Sequence, residues 1–182
     1  MAQVDAFLKL DGIEGESSDS KHGKEIELDA FRFGAIQTGK AVSGTSGSGA
    51  GKVRIEDFHF RVKPNKASPK LFFYCCNGQP ITKAVLTIRK AGKDQQEYLQ
   101  YTFQNVLVSS YRTSIGFAFE EGNDSLTADI EAGQTGSDDW MQYDYVSLNF
   151  GSLQVQYKTQ NADGTLGGAI TNGWNFQTNV SL

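Results

Sequence analysis

Two strand-like segments joined by a turn lie in the middle of the chain: Thr82-Lys-Ala-Val-Leu-Thr-Ile-Arg89, then Lys90-Ala-Gly-Lys-Asp-Gln-Gln96, then Glu97-Tyr-Leu-Gln-Tyr-Thr-Phe-Gln-Asn-Val-Leu-Val-Ser-Ser110. The flanking segments are rich in β-branched and aromatic residues, and the short link between them contains a glycine. This order is typical of a β-hairpin. We therefore predict that the two segments pair as antiparallel strands.

Apolar residues alternate with polar ones along much of the remaining sequence, as expected for strands with one buried face. Three segments change the parity of their apolar residues partway along: near Ala30, within Val53 to Val62, and around Gly151. An extra residue in a strand produces such a change, so we predict a β-bulge near Ala30. A last strand is predicted to contain Trp174, Phe176, Thr178 and Val180.

Bulges are common at barrel rims, so three bent strands favour a closed or strongly curled sheet. The predicted fold is all-β, a closed or curled antiparallel β-barrel of two sheets. One short flanking helix is predicted over about residues 69–77. Ser68 is its expected N-cap, Pro69 its first residue and Gly78 its C-terminal stop. Its buried stripe should contain Leu71, Tyr74 and Cys75.

No proline-rich linker divides the 182 residues, so we predict a single domain over residues 1–182. Two stretches lack periodicity. Residues 39–52 form a Gly/Ser-rich loop that we expect to be flexible, and residues from about 115 to 141 form an insertion in which an extra hairpin is possible. Long loops in compact domains are usually functional or disordered.

Charge excludes one class of partner. The 17 basic and 21 acidic residues give a net charge of −4 without a long block of either sign, so nucleic-acid binding is not predicted. The first ten residues do not resemble a secretory signal, and no apolar segment is long enough to span a membrane. The adjacent Cys75 and Cys76 are interpreted as free thiols, which suits a reducing compartment.

The sequence contains no convincing catalytic, cofactor or metal motif. Gly44 to Lys52 resembles a phosphate-binding loop, but Ser46 and Val53 occupy positions where that motif needs glycine and a hydroxyl residue. His22 and His59 have no recognisable nucleophile elbow, so structural or solvated roles are favoured for both. Asp138-Asp139-Trp140 is consistent with a sugar-binding platform, although an exposed loop explains it equally well.

Several blocks together resemble the Hcp family, the tube protein of the bacterial type VI secretion system. They are His22 to Gly34 with its paired aromatics, Gly49 to Phe58, Lys66 to Leu71, Ala84 to Gly92 with Tyr98 to Ser110, and Leu148 to Asn175. They cover nearly the whole chain.

The resemblance implies a β-barrel with one helix, six copies in a ring, and rings stacked into a hollow tube that a contractile sheath expels. It also implies spike and sheath components as partners, small effector proteins held in the lumen, and no enzymatic activity. Family members are made in the bacterial cytoplasm and secreted without a signal peptide, which agrees with the polar N-terminus here.

The resemblance places the Gly/Ser-rich loop on the family's extended loop, which contacts a neighbouring subunit or ring. The residues so implied are Thr38, Gly39, Lys40, Val42, Gly44, Gly47, Gly49 and Lys52. Phe31 and Phe33 match the paired aromatics and should pack inside the barrel. Arg32 has the opposite parity, so we predict that it lines the lumen.

The insertion is longer than the family's usual hairpin. The resemblance therefore does not show where the ring-stacking surface near it lies in this chain. The alternative interpretation is a β-sandwich carbohydrate-binding module with the insertion as its site. A third is a hydrolase whose catalytic groups the sequence does not show.

Overall fold

The computed structural model describes residues 4–37, 53–90, 95–115, 142–160 and 165–182. These residues form eleven strands and one helix. In chain order the elements are β1 Val4–Leu10, β2 Ile26–Glu27, β3 Ala30–Arg32, β4 Ala35–Gln37, β5 Val53–Ile55, β6 Phe58–Val62, α1 Ser68–Asn77, β7 Ile81–Lys90, β8 Glu97–Ile115, β9 Gln142–Gln160, β10 Leu166–Asn175 and β11 Val180–Ser181. The prediction of a mainly β chain with one short helix is confirmed.

Consecutive antiparallel pairing builds most of the larger sheet. β7, β8, β9 and β10 each pair with the next strand along the chain, and β1 lies on the far side of β7. The predicted hairpin is confirmed, with Leu86 opposite Tyr101 in the β7–β8 ladder. All strand pairs in the described residues are antiparallel, including the separate two-stranded sheet formed by β4 and β5.

Strand β9 is shared among three partners. One edge pairs with β8 from Gln142 to Tyr157. Its other edge pairs first with β6, over Asp144 to Leu148, and then with β10 from Ser152 onward. The larger sheet therefore forks along the length of β9.

Each of the three parity changes in the sequence marks a change of pairing partner. Between β2 and β3, the Leu28 amide donates to Ala6 of β1 and the Asp29 amide donates to Arg61 of β6. The prediction of a β-bulge near Ala30 is therefore wrong, because the chain leaves one ladder there and enters another. The second change separates β5 from β6, and the third lies at Gly151, between the β6 and β10 portions of β9.

No sheet in the described ranges closes or curls into a barrel, so that part of the predicted fold is wrong. A barrel would join β1 to β6 through the strands between them, β2 and β3. These two strands contain only five residues together. β2 pairs with β1 and β3 with β6. In the described residues, Leu28 and Asp29 connect these two ladders, and no continuous ladder joins them.

One face of the forked sheet carries the hydrophobic core. Phe58 is fully buried and its ring lies 5.0 Å from Phe103 and 5.9 Å from Phe31, centroid to centroid. Phe33 contacts the edge of Phe103 at 5.9 Å. Phe31 and Phe33 thus pack against the core as predicted, and offset aromatic contacts of this kind stabilise it beyond simple burial.

Helix α1 covers part of this face. Leu71 and Tyr74 are buried and Cys75 packs against the core while Cys76 is exposed, which confirms the predicted stripe. The helix ends as predicted at Gly78, whose φ of 65° is left-handed. Ser68 is not the N-cap, since Ala67 occupies that position and Ser68 begins the helix.

The predicted last strand is interrupted. β10 ends at Asn175, and its side-chain oxygen accepts hydrogen bonds from the amides of Gln177 and Thr178. This turn, completed by Asn179 at a φ of 59°, sends the chain back as β11. Asparagine commonly forms such turns. The alternation of apolar residues through Val180 favoured a continuous strand and hid this turn signal.

The Gly/Ser-rich loop and most of the insertion lie outside the described residues, but their ends do not. Gln37 faces Val53 across the β4–β5 pair, and Ile115 faces Gln142 across the β8–β9 pair. Each stretch therefore connects two adjacent antiparallel strands. The single-domain organisation stays a prediction.

Candidate functional site

Strands β4 and β5 form a two-stranded ribbon anchored beside the core. Just before the ribbon, the Phe33 ring lies 5.1 Å from Tyr101, and just after it the Glu56 amide donates to the Gly34 carbonyl at 2.8 Å. Farther along, Ile36 is 52% exposed. The ribbon is therefore fixed to the core at the end formed by Gly34 and Glu56.

The residues predicted to contact a neighbouring subunit lie in the connection 38–52 and outside the described residues. They are Thr38, Gly39, Lys40, Val42, Gly44, Gly47, Gly49 and Lys52. The sites considered for phosphate and for sugar, Gly44 to Lys52 and Asp138 to Trp140, also lie outside them. These assignments stay predictions.

Arg32 is exposed at the end of β3, on the face opposite the core. Its place in the lumen stays a prediction. Cross-strand pairing aligns it with three polar residues, in the order Arg32, His59, Ser147 and Ser110. The neighbouring row runs Ala30, Arg61, Tyr145 and Arg112. We call the surface formed by Arg32, His59, Arg61, Arg112, Tyr143, Tyr145, Ser110 and Ser147 the arginine face.

Within the arginine face, His59 Nδ1 lies 2.7 Å from Ser147 Oγ, which also accepts from Ser110 at 3.3 Å. Burial lowers the pKa of His59, Arg32 and Arg112 lower it further, and the carboxylates of Asp57 and Glu56 oppose them. His59 is therefore uncharged at neutral pH.

A serine–histidine contact raises the question of nucleophilic chemistry. The backbone around Ser147 pairs with β6 on one side and β8 on the other, so those amides are unavailable to stabilise an oxyanion. The Ser147 side chain is also nearly buried. The geometry supports a polar ladder that satisfies buried groups between strands, not an activated nucleophile.

Two further contacts shape the arginine face. The Arg61 guanidinium lies 4.6 Å from the centre of the Tyr143 ring, a cation–π geometry. In the next row Asp57 accepts from Ser109 at 2.5 Å and from Asn149 at 2.8 Å. These contacts hold one arginine flat and keep the nearest carboxylate engaged with neutral donors.

The core face of the sheet continues beyond its cover at the β9–β10 end. Tyr157 faces Ile170, and Leu153 faces Trp174, in the same rows as buried core residues of β7 and β8. Tyr157, Ile170 and Trp174 are 43%, 58% and 37% exposed. We call these three residues the apolar end. Exposed apolar surface that continues a core is typical of an interaction site.

His22 and the nearby acidic residues form a structural cluster and not a metal site. The His22 ring stacks on Phe7 at 4.3 Å, and its Nδ1 lies 2.9 Å from Glu25 Oε2. Arg89, nearly buried, donates to Asp19 at 2.8 Å and to Asp5 at 3.0 Å. In the described part of the chain, no group of histidine, cysteine and acidic residues has the arrangement of a metal site.

The electrostatics of this cluster are set mainly by hydrogen bonds. The Lys21 amide and the Arg89 guanidinium hold the pKa of Asp19 at about 2, below its ordinary 3.8. A cleft of about 660 Å³ lies beside it, between β1 and the segment after β6, and Asp5, Asp19 and Arg89 line it. Arg89 pairs with both Asp5 and Asp19, so its charge is satisfied. The cleft as a whole is acidic, because Glu16, Glu27 and Asp29 also line it.

Sequence reasoning identified Arg32 but missed Arg61, Arg112 and Ser147. Parity along one strand shows which residues share a face of that strand, and it gives no register between strands. β6 and β9 are separated by more than eighty residues, so no local signal could place Arg61 beside Tyr145. The alternation of β6 shows only that Arg61 is on the polar face.

Known proteins are similar to this chain in both sequence and fold. Residues 7–157 match the family described as type VI secretion system effector, Hcp. Protein hcp1 of Pseudomonas aeruginosa is 38% identical over 179 residues, which cover 97% of this chain and 98% of that protein.

Solved structures agree. Hcp1 of Salmonella typhimurium superposes with a TM-score of 0.68 at 31% identity, with complete coverage of both chains. A structure described as a type six secretion system protein gives a TM-score of 0.80 at 29% identity, over 99% of this chain and 100% of that one. In the described part of this chain, no helix is long and apolar enough to cross a membrane. The chain belongs to the Hcp family of type VI secretion system proteins.

Proposed function

We propose that this chain is the building block of the type VI inner tube. Six copies form a ring, rings stack through the connection 38–52, and small effector proteins travel in the lumen. Spike and sheath components are its further partners, and its role is structural and not enzymatic. Family membership across most of the chain is the observation that carries this proposal.

The β4–β5 ribbon supports a role for its tip in contacts between copies. In the described ranges each of its two strands pairs only with the other. Two-stranded hairpins are marginally stable alone in water, and unpaired strand edges readily accept another chain. A neighbouring copy that covers Ile36 and the ribbon edge would bury both.

The apolar end supports a lateral contact within the ring. Ile170 and Trp174 lie on β10, toward one side of the sheet, where only the two-residue β11 follows. Burying apolar surface contributes about 25 cal/mol per Å², so a neighbouring copy seated here would gain stability. Thr171, on the opposite face of β10, should lie outside this contact.

The test is the mass and shape of the purified protein. Light scattering after size exclusion should give about six times the protomer mass of 19.9 kDa, and electron micrographs should show rings with a central hole. Ile170→Glu should shift the protein toward monomers, while Thr171→Glu should leave the rings intact. A wild-type protein that stays monomeric at micromolar concentrations and has measurable glycan affinity would overturn the proposal.

A further inference from the structure

We propose that the arginine face binds an acidic segment of a partner protein, with Arg32, Arg61 and Arg112 as its anchors. This inference rests on the proposed function, because it assigns a chemistry to the cargo that the ring would hold beside Arg32. Three observations carry it: the spacing of the arginines, the charge around them, and the way Tyr143 is covered.

Sheet geometry places the three arginines within about 10 Å of their nearest partner in the set. Arg61 and Arg112 lie in one row with Tyr145 between them, so roughly two strand spacings, about 9–10 Å, separate their backbones. Arg32 and Arg61 are diagonal neighbours on paired strands, about 7–8 Å apart. Each guanidinium presents a planar pair of donors that matches one carboxylate, so the face can engage several carboxylates at once.

The charge of the face is opposite to that of the chain as a whole. The face carries Arg32, Arg61 and Arg112, and the carboxylates that act on its His59 are Asp57 and Glu56, while the chain carries −4. The Asp57 carboxylate is occupied by Ser109 and Asn149. A positive surface on an acidic protein steers an acidic partner to one location.

The local chemistry favours acidic protein over nucleic acid. Proteins that bind single strands stack bases on aromatic side chains within a basic groove. Here Arg61 lies over the Tyr143 ring at 4.6 Å and occupies the surface that a base would need.

Binding of three labelled probes of equal length to assembled rings would test this: a Glu-rich peptide, a Gln-rich peptide and single-stranded DNA. Fluorescence anisotropy should show that the Glu-rich peptide binds more tightly than the Gln-rich one, and that salt weakens its binding. The double variant Arg32→Glu and Arg112→Glu should weaken binding of the Glu-rich peptide by tenfold or more, because two charge-assisted contacts become repulsive. The loss of a single such contact corresponds to about tenfold. Lys21→Glu with Lys24→Glu, an equal charge change in an exposed turn, should leave the binding unchanged.

Light scattering on each sample separates the two proposals. Absence of rings in the wild-type protein would argue against the tube function itself. Intact rings that bind both peptides equally, or that bind the Glu-rich peptide equally well after the double substitution, would overturn the arginine-face proposal alone. Tighter binding of DNA than of the Glu-rich peptide would also overturn it, because the occupant would then be a nucleic acid.

Discussion

Ser68 Oγ donates a hydrogen bond of 2.5 Å to Asp144 Oδ2, which links the first turn of α1 to β9. Asp144 is almost fully buried, and Tyr111 is its other hydrogen-bonding neighbour. Burial together with this hydrogen bond raises the pKa of Tyr111 to about 12. The helix is therefore attached to the sheet by a small polar cluster as well as by Leu71.

Ser68→Ala should destabilise the protein by about 1–3 kcal/mol, because it leaves a buried carboxyl group with fewer partners. Urea unfolding at one fixed protomer concentration would measure the change. Ser109→Ala is a matched control, since Ser109 donates to Asp57 over the same 2.5 Å at the exposed surface. That change should cost less than about 1 kcal/mol because water replaces the lost partner. Equal costs for the two variants would contradict the assigned role of Asp144.

Gly15→Ala should be strongly destabilising. A β-carbon at Gly15 would stand 2.2 Å from the carbonyl oxygen of Glu25, which is fixed by a hydrogen bond from the Ser17 amide. Backbone on both sides would have to move, so we expect a loss of more than about 3 kcal/mol and a fall in Tm of more than about 6 °C. Gly168→Ala, where nothing lies within 4 Å of the added carbon, should change Tm little in the same calorimetry experiment.

Asp19 should contribute to acid sensitivity. Its folded-state pKa of about 2 lies below the ordinary value of 3.8, so its stabilising effect is complete above pH 3.8 and disappears as the pH falls toward 2. Asp19→Asn should therefore have a lower Tm than wild type near neutral pH, with the gap closing between about pH 4 and pH 2. A gap of constant size across that range would show that the charge of Asp19 is not responsible.

Replacing residues 38–52 with an Asn-Gly turn should leave the protomer fold intact. Gln37 and Val53 face each other across the ribbon, and a two-residue turn can join such a pair. The proposed function predicts that rings of this variant still form but do not stack, which electron microscopy and light scattering would show. A full-length Gly/Ser loop of scrambled order is the control for length. Stacked tubes from the turn variant would refute the role of this connection.

The strands could be predicted well where pairing is local and apolar residues alternate. The β7–β8 hairpin and the inward side chains of Phe31 and Phe33 follow from such patterns. The parity changes near Ala30 and Gly151 were also correctly located. Their cause was misread, because a bulge and a change of partner displace side chains in the same way along one strand.

The lack of barrel closure in the described residues, and the composition of the site, could not be predicted from these patterns. Closure would need β2 and β3 to continue one ladder from β1 to β6, but β2 pairs with β1 and β3 pairs with β6. These pairings depend on contacts between residues distant in sequence. The polar side of β6 indicated exposure for Arg61, but its position relative to Arg112 requires the register of β9 with both β6 and β8. The asparagine turn at Asn175 was concealed by alternating residues that happened to continue through it.

The shared strand β9 also has a consequence for the order of folding. The buried side chains of β6, Phe58, Phe60 and Val62, lie on a strand whose partner in β9 follows about 80 to 90 residues later. During synthesis β6 leaves the ribosome before its partner strand β9, so its apolar face is exposed. In contrast, β7 to β10 can pair as successive hairpins as each strand emerges. The nascent chain is therefore most exposed to aggregation in the interval before β9 emerges, a period in which a chaperone has most to protect.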